Sequence, residues 1–176
     1  MITPASDNII FFDTEFTDLD VKKGELLSIG LVKPNGEELY IELPYTKEPH
    51  EWVKEHVLPH LSGELTSYED ARIQITEFLG DTKPHLIAFI NQLDSVYWYD
   101  FFGSPQAHPA HKHPIDFGSI LFGHGFKTTS MSDPDFLDML KITAQDRGVG
   151  HNALDDAKFL RKVYNSFYEH LSQQYK

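Results

Sequence analysis

The stretch that most constrains this chain is "IIFFDTEF", residues 9–16. Four large apolar residues in succession, Ile9 to Phe12, suit a buried strand, which the rest of the chain must then cover. The run ends with Asp13 and Glu15 one residue apart, and because side chains alternate along a strand both carboxylates point to one face. Two like charges on one face repel unless a cation lies between them.

A chain of 176 residues, 40% hydrophobic and 13% aromatic, is large enough to bury such a strand in one α/β domain over residues 1–176. Strand 8–14 is followed by "ELLSIGLVKPNGEELYIEL", which reads as a hairpin turning at Pro34-Asn35-Gly36, so three antiparallel strands open the fold. "EPHEWVKEHV" and "SYEDARIQITEFLG" read as helices, the second with Ser67 as N-cap and Gly80 as stop. "HLIAFI" is then a buried strand and "DSVYWYDFFG" a short helix ending at Gly103. Residues 104–114, "SPQAHPAHKHP", read as a solvated surface loop beside the site. "IDFGSILF" passes from strand to helix, and breaks at Pro134, Gly148 and Gly150 interrupt residues 128–150. From Asn152 the spacing of Ala153, Ala157, Leu160, Tyr164, Phe167 and Leu171 predicts one long amphipathic helix packed on the sheet.

Composition excludes several classes. No stretch approaches the roughly 20 apolar residues of a membrane span, and the first residues lack a secretory pattern, so a cytoplasmic protein is expected. The sequence contains no cysteine, which rules out disulfides and thiolate zinc sites; a metal would be held by carboxylate, histidine and water, favouring hard ions such as Mg²⁺ or Mn²⁺. The formal charge of -12 disfavours tracking along duplexes, but it suits a short or single-stranded end approached through bound dications.

Further acidic positions extend the first pair. Asp94 follows "HLIAFI", where a helix N-cap is the plain structural alternative; Asp100, six residues on, lies on the helix body. "HNALDDA" opens the last helix with His151 just before it and Asp156 in its first turns. Taken alone, Asp155 and Asp156 would simply complement the helix dipole.

Asp13, Glu15, Asp94, His151 and Asp156, in this order, resemble the DEDD exonuclease superfamily in its histidine-bearing branch. "DTEF" matches the first motif, with Asp13 and Glu15 as metal ligands, and "HNALDDA" the third, with His151 as general base and Asp156 as ligand. "FINQLDSV" departs from the usual form of the second motif around Asp94. "FFDTEF", "ELLSIGLV", "WVKEHVLPHL", "LDSVYWYDFFG" and "HNALDDA" are similar, in order, to the mycobacterial RNase AS family of 3'-5' exoribonucleases over about residues 8–168. That resemblance implies an RNase H-like fold with a mixed central sheet flanked by helices, two divalent metals, a homodimer, and removal of nucleotides from single-stranded RNA 3' ends, with a preference for adenylate-rich ends.

Two dications about 3.5 to 4 Å apart can hold the attacking water and the leaving oxygen on either side of one phosphorus. In this reading Asp13 bridges them, Glu15 and Asp156 complete the nucleophile side, Asp94 serves the leaving-group ion, and His151 takes the proton from the water. The product would be nucleoside 5'-monophosphates.

Phe16 is expected either in the core or against a terminal base; Thr14 and Asn91 are further candidates for substrate contact. Most of Tyr97, Trp98, Tyr99, Phe101 and Phe102 must be core or interface. His108, His111 and His113 crowd one segment without an acidic partner, and Pro59 separates His56 from His60, so no metal is expected at either place. A proofreading-type DNA exonuclease and an inactive nuclease-like binding module are the competing readings.

Overall fold

The computed structural model describes residues 3–174, so the domain expected over 1–176 extends at both ends outside the described residues. Five strands, β1 (Ile9–Phe16), β2 (Leu26–Val32), β3 (Glu38–Glu42), β4 (His85–Ala88) and β5 (Ile115–Asp116), form one mixed sheet in the order β3-β2-β1-β4-β5. The first three pair antiparallel; β4 pairs parallel with β1, and β5 parallel with β4. The helices are α1 (Glu51–His56), α2 (Tyr68–Leu79), α3 (Gln92–Phe102), α4 (Phe117–Gly123), α5 (Pro134–Met139) and α6 (Ala153–Gln174). The molecule is thus a mixed α/β domain, and among the described residues no helix is long and apolar enough to cross a membrane.

Alternation along β1 explains why its first four residues are all apolar. Ile9 and Phe11 pack under α6, α4 and α5, with Ala157, Leu160 and Phe167. Ile10 and Phe12 pack on the opposite face against α2 and α3, with Ile75, Tyr97 and Trp98. All four are at most 3% exposed, because helices cover the central strand on both sides. The last helix places Ala153, Ala157, Leu160, Tyr164 and Phe167 in the core, and Leu171 half-buried beyond them, as its spacing predicts.

Three boundaries differ from expectation. β1 continues through Glu15 and Phe16 rather than ending at 14, since both residues still pair with β2, across an irregularity in register. β4 stops at Ala88, and α3 begins at Gln92, two residues early, which makes Asn91 the helix cap and moves Asp94 into the first turn. The loop 104–114 is neither solvated throughout nor beside the candidate site. His108 and Ala110 are buried, the His108 ring meets Tyr99 at 5.3 Å, and the His111 N–H donates to the Pro84 carbonyl at 2.9 Å. This tether at the start of β4 puts the loop at the end of the sheet opposite Asp13 and Glu15.

Candidate active site

The register of β1 turns Asp13 and Glu15 towards α6, on the same face as Phe11. Asp13 lies opposite Gly30 of β2. A Cβ at Gly30 would come within 2.2 Å of the Ala153 carbonyl oxygen and 2.5 Å of the Leu154 nitrogen, so α6 rests its first turn directly on the strand. That close approach brings Asp156 over the β1 carboxylates.

The segment before α6 is tied to the helix by its own acidic residues. The Asp155 carboxylate accepts from the Val149 N–H at 2.9 Å, and Asp156 Oδ2 accepts from the His151 N–H at 2.9 Å. His151 thereby sits in the left-handed region, φ 61°, which a non-glycine residue adopts only when its surroundings impose it.

Asp94 arrives from the other face. Thr14 points away from Asp13 and Glu15, and its N–H and hydroxyl both donate to Asp94 Oδ1, at 3.0 and 2.6 Å. The turn leading into α3 is fixed by Asp116 at the end of β5. One of its oxygens accepts from the Ile90 N–H at 2.7 Å, where φ is 56°, while the other caps α4 through the Ser119 N–H at 2.7 Å.

These four carboxylates interact strongly. Burial, then the charges of Asp94, Glu15 and Asp156, push Asp13 well above the usual carboxylate range. Burial and the charges of Asp156 and Asp94 raise Glu15 to about 8. Burial raises Asp94 to about 6 against the opposing pull of the two Thr14 hydrogen bonds. Asp156 is also raised by burial, countered by the His151 N–H and by Arg147. His151 is lowered, chiefly by desolvation, which favours a neutral imidazole.

Ligand atoms of Glu15, His151 and Asp156 lie within 4.8 Å of one another, close enough to share one ion. Oxygen and imidazole donors without sulfur fit hard dications, and positive charge is what four crowded carboxylates lack. Asp13 and Asp94 join these residues in lining a cleft of about 250 Å³.

A second cavity of about 500 Å³ shares Glu15 and Phe16 with this cleft and is walled by Leu19, Trp52, Val53 and Val57. Phe16 is stacked on Tyr97 at 4.5 Å and 12°, and the Tyr97 hydroxyl donates to the Asp18 carbonyl at 2.5 Å. Trp52 is stacked on His56 at 4.6 Å and 7°, and meets the His151 ring edge-on at 4.8 Å. Both aromatics are therefore backed on one side while lining the cavity.

The structure brings Asp13, Glu15, Asp94, His151 and Asp156 together and places Phe16 at the junction of the two cavities. Thr14 lines the cleft, but its hydroxyl is engaged by Asp94. Asn91 caps α3 without a side-chain capping bond and is not among the residues lining either cavity. Asp100 is exposed, whereas Tyr97, Trp98 and Phe101 are core. Three contributors escape sequence reasoning: Arg147, which lines the cleft, Trp52, and Asp116. Trp52 lies in "WVKEHVLPHL", one of the stretches that carry the family resemblance, which is the signal available for it; Arg147 and Asp116 have none.

Against known proteins, no family model matches the chain, and no curated protein does at a significant level.

Proposed function

We propose that this chain is a divalent-metal-dependent 3'-5' exoribonuclease of RNase H-like fold, acting in the cytoplasm as a homodimer on single-stranded RNA 3' ends. The observation that carries the reading is the convergence of four carboxylates from β1, α3 and α6 on one cleft, with a neutral-leaning histidine and an apolar cavity at its mouth. The strand order, with β2 antiparallel to its neighbours β1 and β3 while β4 and β5 run parallel to β1, is compatible with that fold. The dimer and the adenylate preference come from the family resemblance.

Asp13, Glu15, Asp94 and Asp156 are the residues that would hold Mg²⁺ or Mn²⁺. Such ions supply positive charge that attracts a phosphate and stabilises charge developing on its oxygens. His151 accepts the proton of the attacking water, a task suited to an imidazole that is neutral near pH 7. Phe16 and Trp52 receive the terminal base in the apolar cavity, where each stacked base contributes about 1 to 3 kcal/mol. The terminal nucleotide would then leave as a 5'-monophosphate.

The test incubates purified protein with 5'-labelled single-stranded RNA and the matching DNA, with Mg²⁺, Mn²⁺ or chelator. Shortening of RNA from its 3' end, lost with chelator and in Asp13→Ala, is expected. Equal shortening of DNA would favour a proofreading-type enzyme, and metal binding to neither wild type nor variant would leave a binding module. His151→Ala should lower the rate by about 10²- to 10⁴-fold while Mn²⁺ affinity changes little. Equal loss of Mn²⁺ affinity in His151→Ala and Asp13→Ala, by calorimetry, would make His151 a ligand and not the base.

A further inference from the structure

Among the described residues, Arg147 is the one lysine or arginine that lines the carboxylate cleft. The neighbouring cations are engaged elsewhere: Lys158 with Glu38 and Asp155, Lys162 with Asp146. Asp156 presents its two oxygens to different partners. Oδ2 accepts from the His151 N–H, and Oδ1 lies 3.9 Å from Arg147 Nε. The contact is at the long limit of an ion pair, and the arginine side chain is 46% exposed, so its contribution to stability is small.

The backbone beneath Arg147 is more firmly placed than its side chain. Residues 144–147 form a 3₁₀ turn whose Thr143 and Asp146 cap each other, and Lys162 holds Asp146. Val149, two residues on, is fastened to Asp155. The guanidinium itself lies over the Phe159 ring at 5.7 Å, a flat support that permits movement along the cleft. A planar fork of N–H donors on an anchored turn, loosely paired to a carboxylate, is matched to a phosphate, which it can grip with two parallel hydrogen bonds.

We propose that Arg147 is the internal counter-ion of the metal-free carboxylate cleft and that, once cations occupy the carboxylates, it turns to a non-bridging oxygen of the RNA phosphate held there. The inference rests on the exonuclease reading for its second half only. Two binding experiments without turnover test it on wild type, Arg147→Met and Arg147→Lys. In calorimetric Mn²⁺ titrations without RNA, Arg147→Met should bind Mn²⁺ several-fold more tightly, because a competing cation has been removed.

In fluorescence anisotropy with a short labelled RNA and Ca²⁺, Arg147→Met should lose about tenfold in affinity, and its slope of log affinity against log salt should shrink by about one. Arg147→Lys, which keeps the charge and loses the fork, should keep the slope and recover part of the affinity. Weaker Mn²⁺ binding in Arg147→Met, with Arg147→Lys restoring it, would make Arg147 a prop for Asp156 and overturn the counter-ion role. Unchanged RNA affinity and slope, with wild type binding RNA, would overturn the phosphate contact. Wild type that binds Mn²⁺ but neither RNA nor DNA would overturn the exonuclease reading itself, a failure visible before any variant is measured.

Discussion

Thr14 illustrates how one residue between two carboxylates serves a third. Its side chain points away from Asp13 and Glu15, and its hydroxyl and N–H converge on the same oxygen of Asp94. These bonds pull the Asp94 pKa down while burial raises it, leaving about 6. Thr14→Val keeps the shape and removes the hydroxyl donor, at a cost of about 1 to 2 kcal/mol for a bond to a buried carboxylate. Asp94 then moves further up, because the deprotonated form loses a donor. Urea unfolding should show the loss of stability, and Mn²⁺ titrations at several pH values should show binding developing at higher pH than in wild type. An unchanged pH dependence would mean that Asp94 is not among the groups that must ionise for metal to bind.

At the scale of elements, the site depends on how closely α6 lies on β2. Gly30→Ala would push a methyl group into the backbone at Ala153 and Leu154, contacts that no side-chain rotation relieves. Overpacking of this kind costs about 1 to 3 kcal/mol, and α6 would carry Asp156 and His151 away from β1. The expected outcome is a lower melting temperature and loss of Mn²⁺-induced stabilisation, although Gly30 lines neither cavity. A variant that melts earlier but retains its full Mn²⁺ shift would separate helix seating from site assembly.

Nothing in "ELLSIGLV" sets Gly30 apart from an ordinary strand glycine, because what makes it necessary is a helix more than 120 residues away. Elements with a strong local period were legible for the opposite reason: β1 and α6 carry their partner faces in their own spacing. The start of α3 was not, since the Ile90 turn is held by Asp116 from β5. The histidine-rich loop misled because proline and polar residues suggest solvent, whereas His108 finds an aromatic bed on α3 that no local pattern announces.

Across the whole molecule, gathering carboxylates in one cleft makes the fold's stability depend on pH, and the proposed function adds a dependence on metal. Glu15 is raised from 4.5 to about 8 in the folded protein. A carboxyl that holds its proton more tightly when folded contributes stability that is fully present below its unfolded pKa and is lost as pH rises through the folded one. The metal-free protein should therefore lose part of its stability between about pH 4.5 and 8 through this group. Glu15→Gln cannot ionise, so its melting temperature relative to wild type should climb across that window and level off above it. Mn²⁺ should reverse the order near pH 8, stabilising wild type by mass action and the variant far less. Binding at pH 7 should also release protons, measurable by calorimetry in buffers of different ionisation enthalpy. If wild type and Glu15→Gln keep a constant difference in melting temperature from pH 5 to 8, with and without Mn²⁺, Glu15 is neither strained by its neighbours nor a ligand.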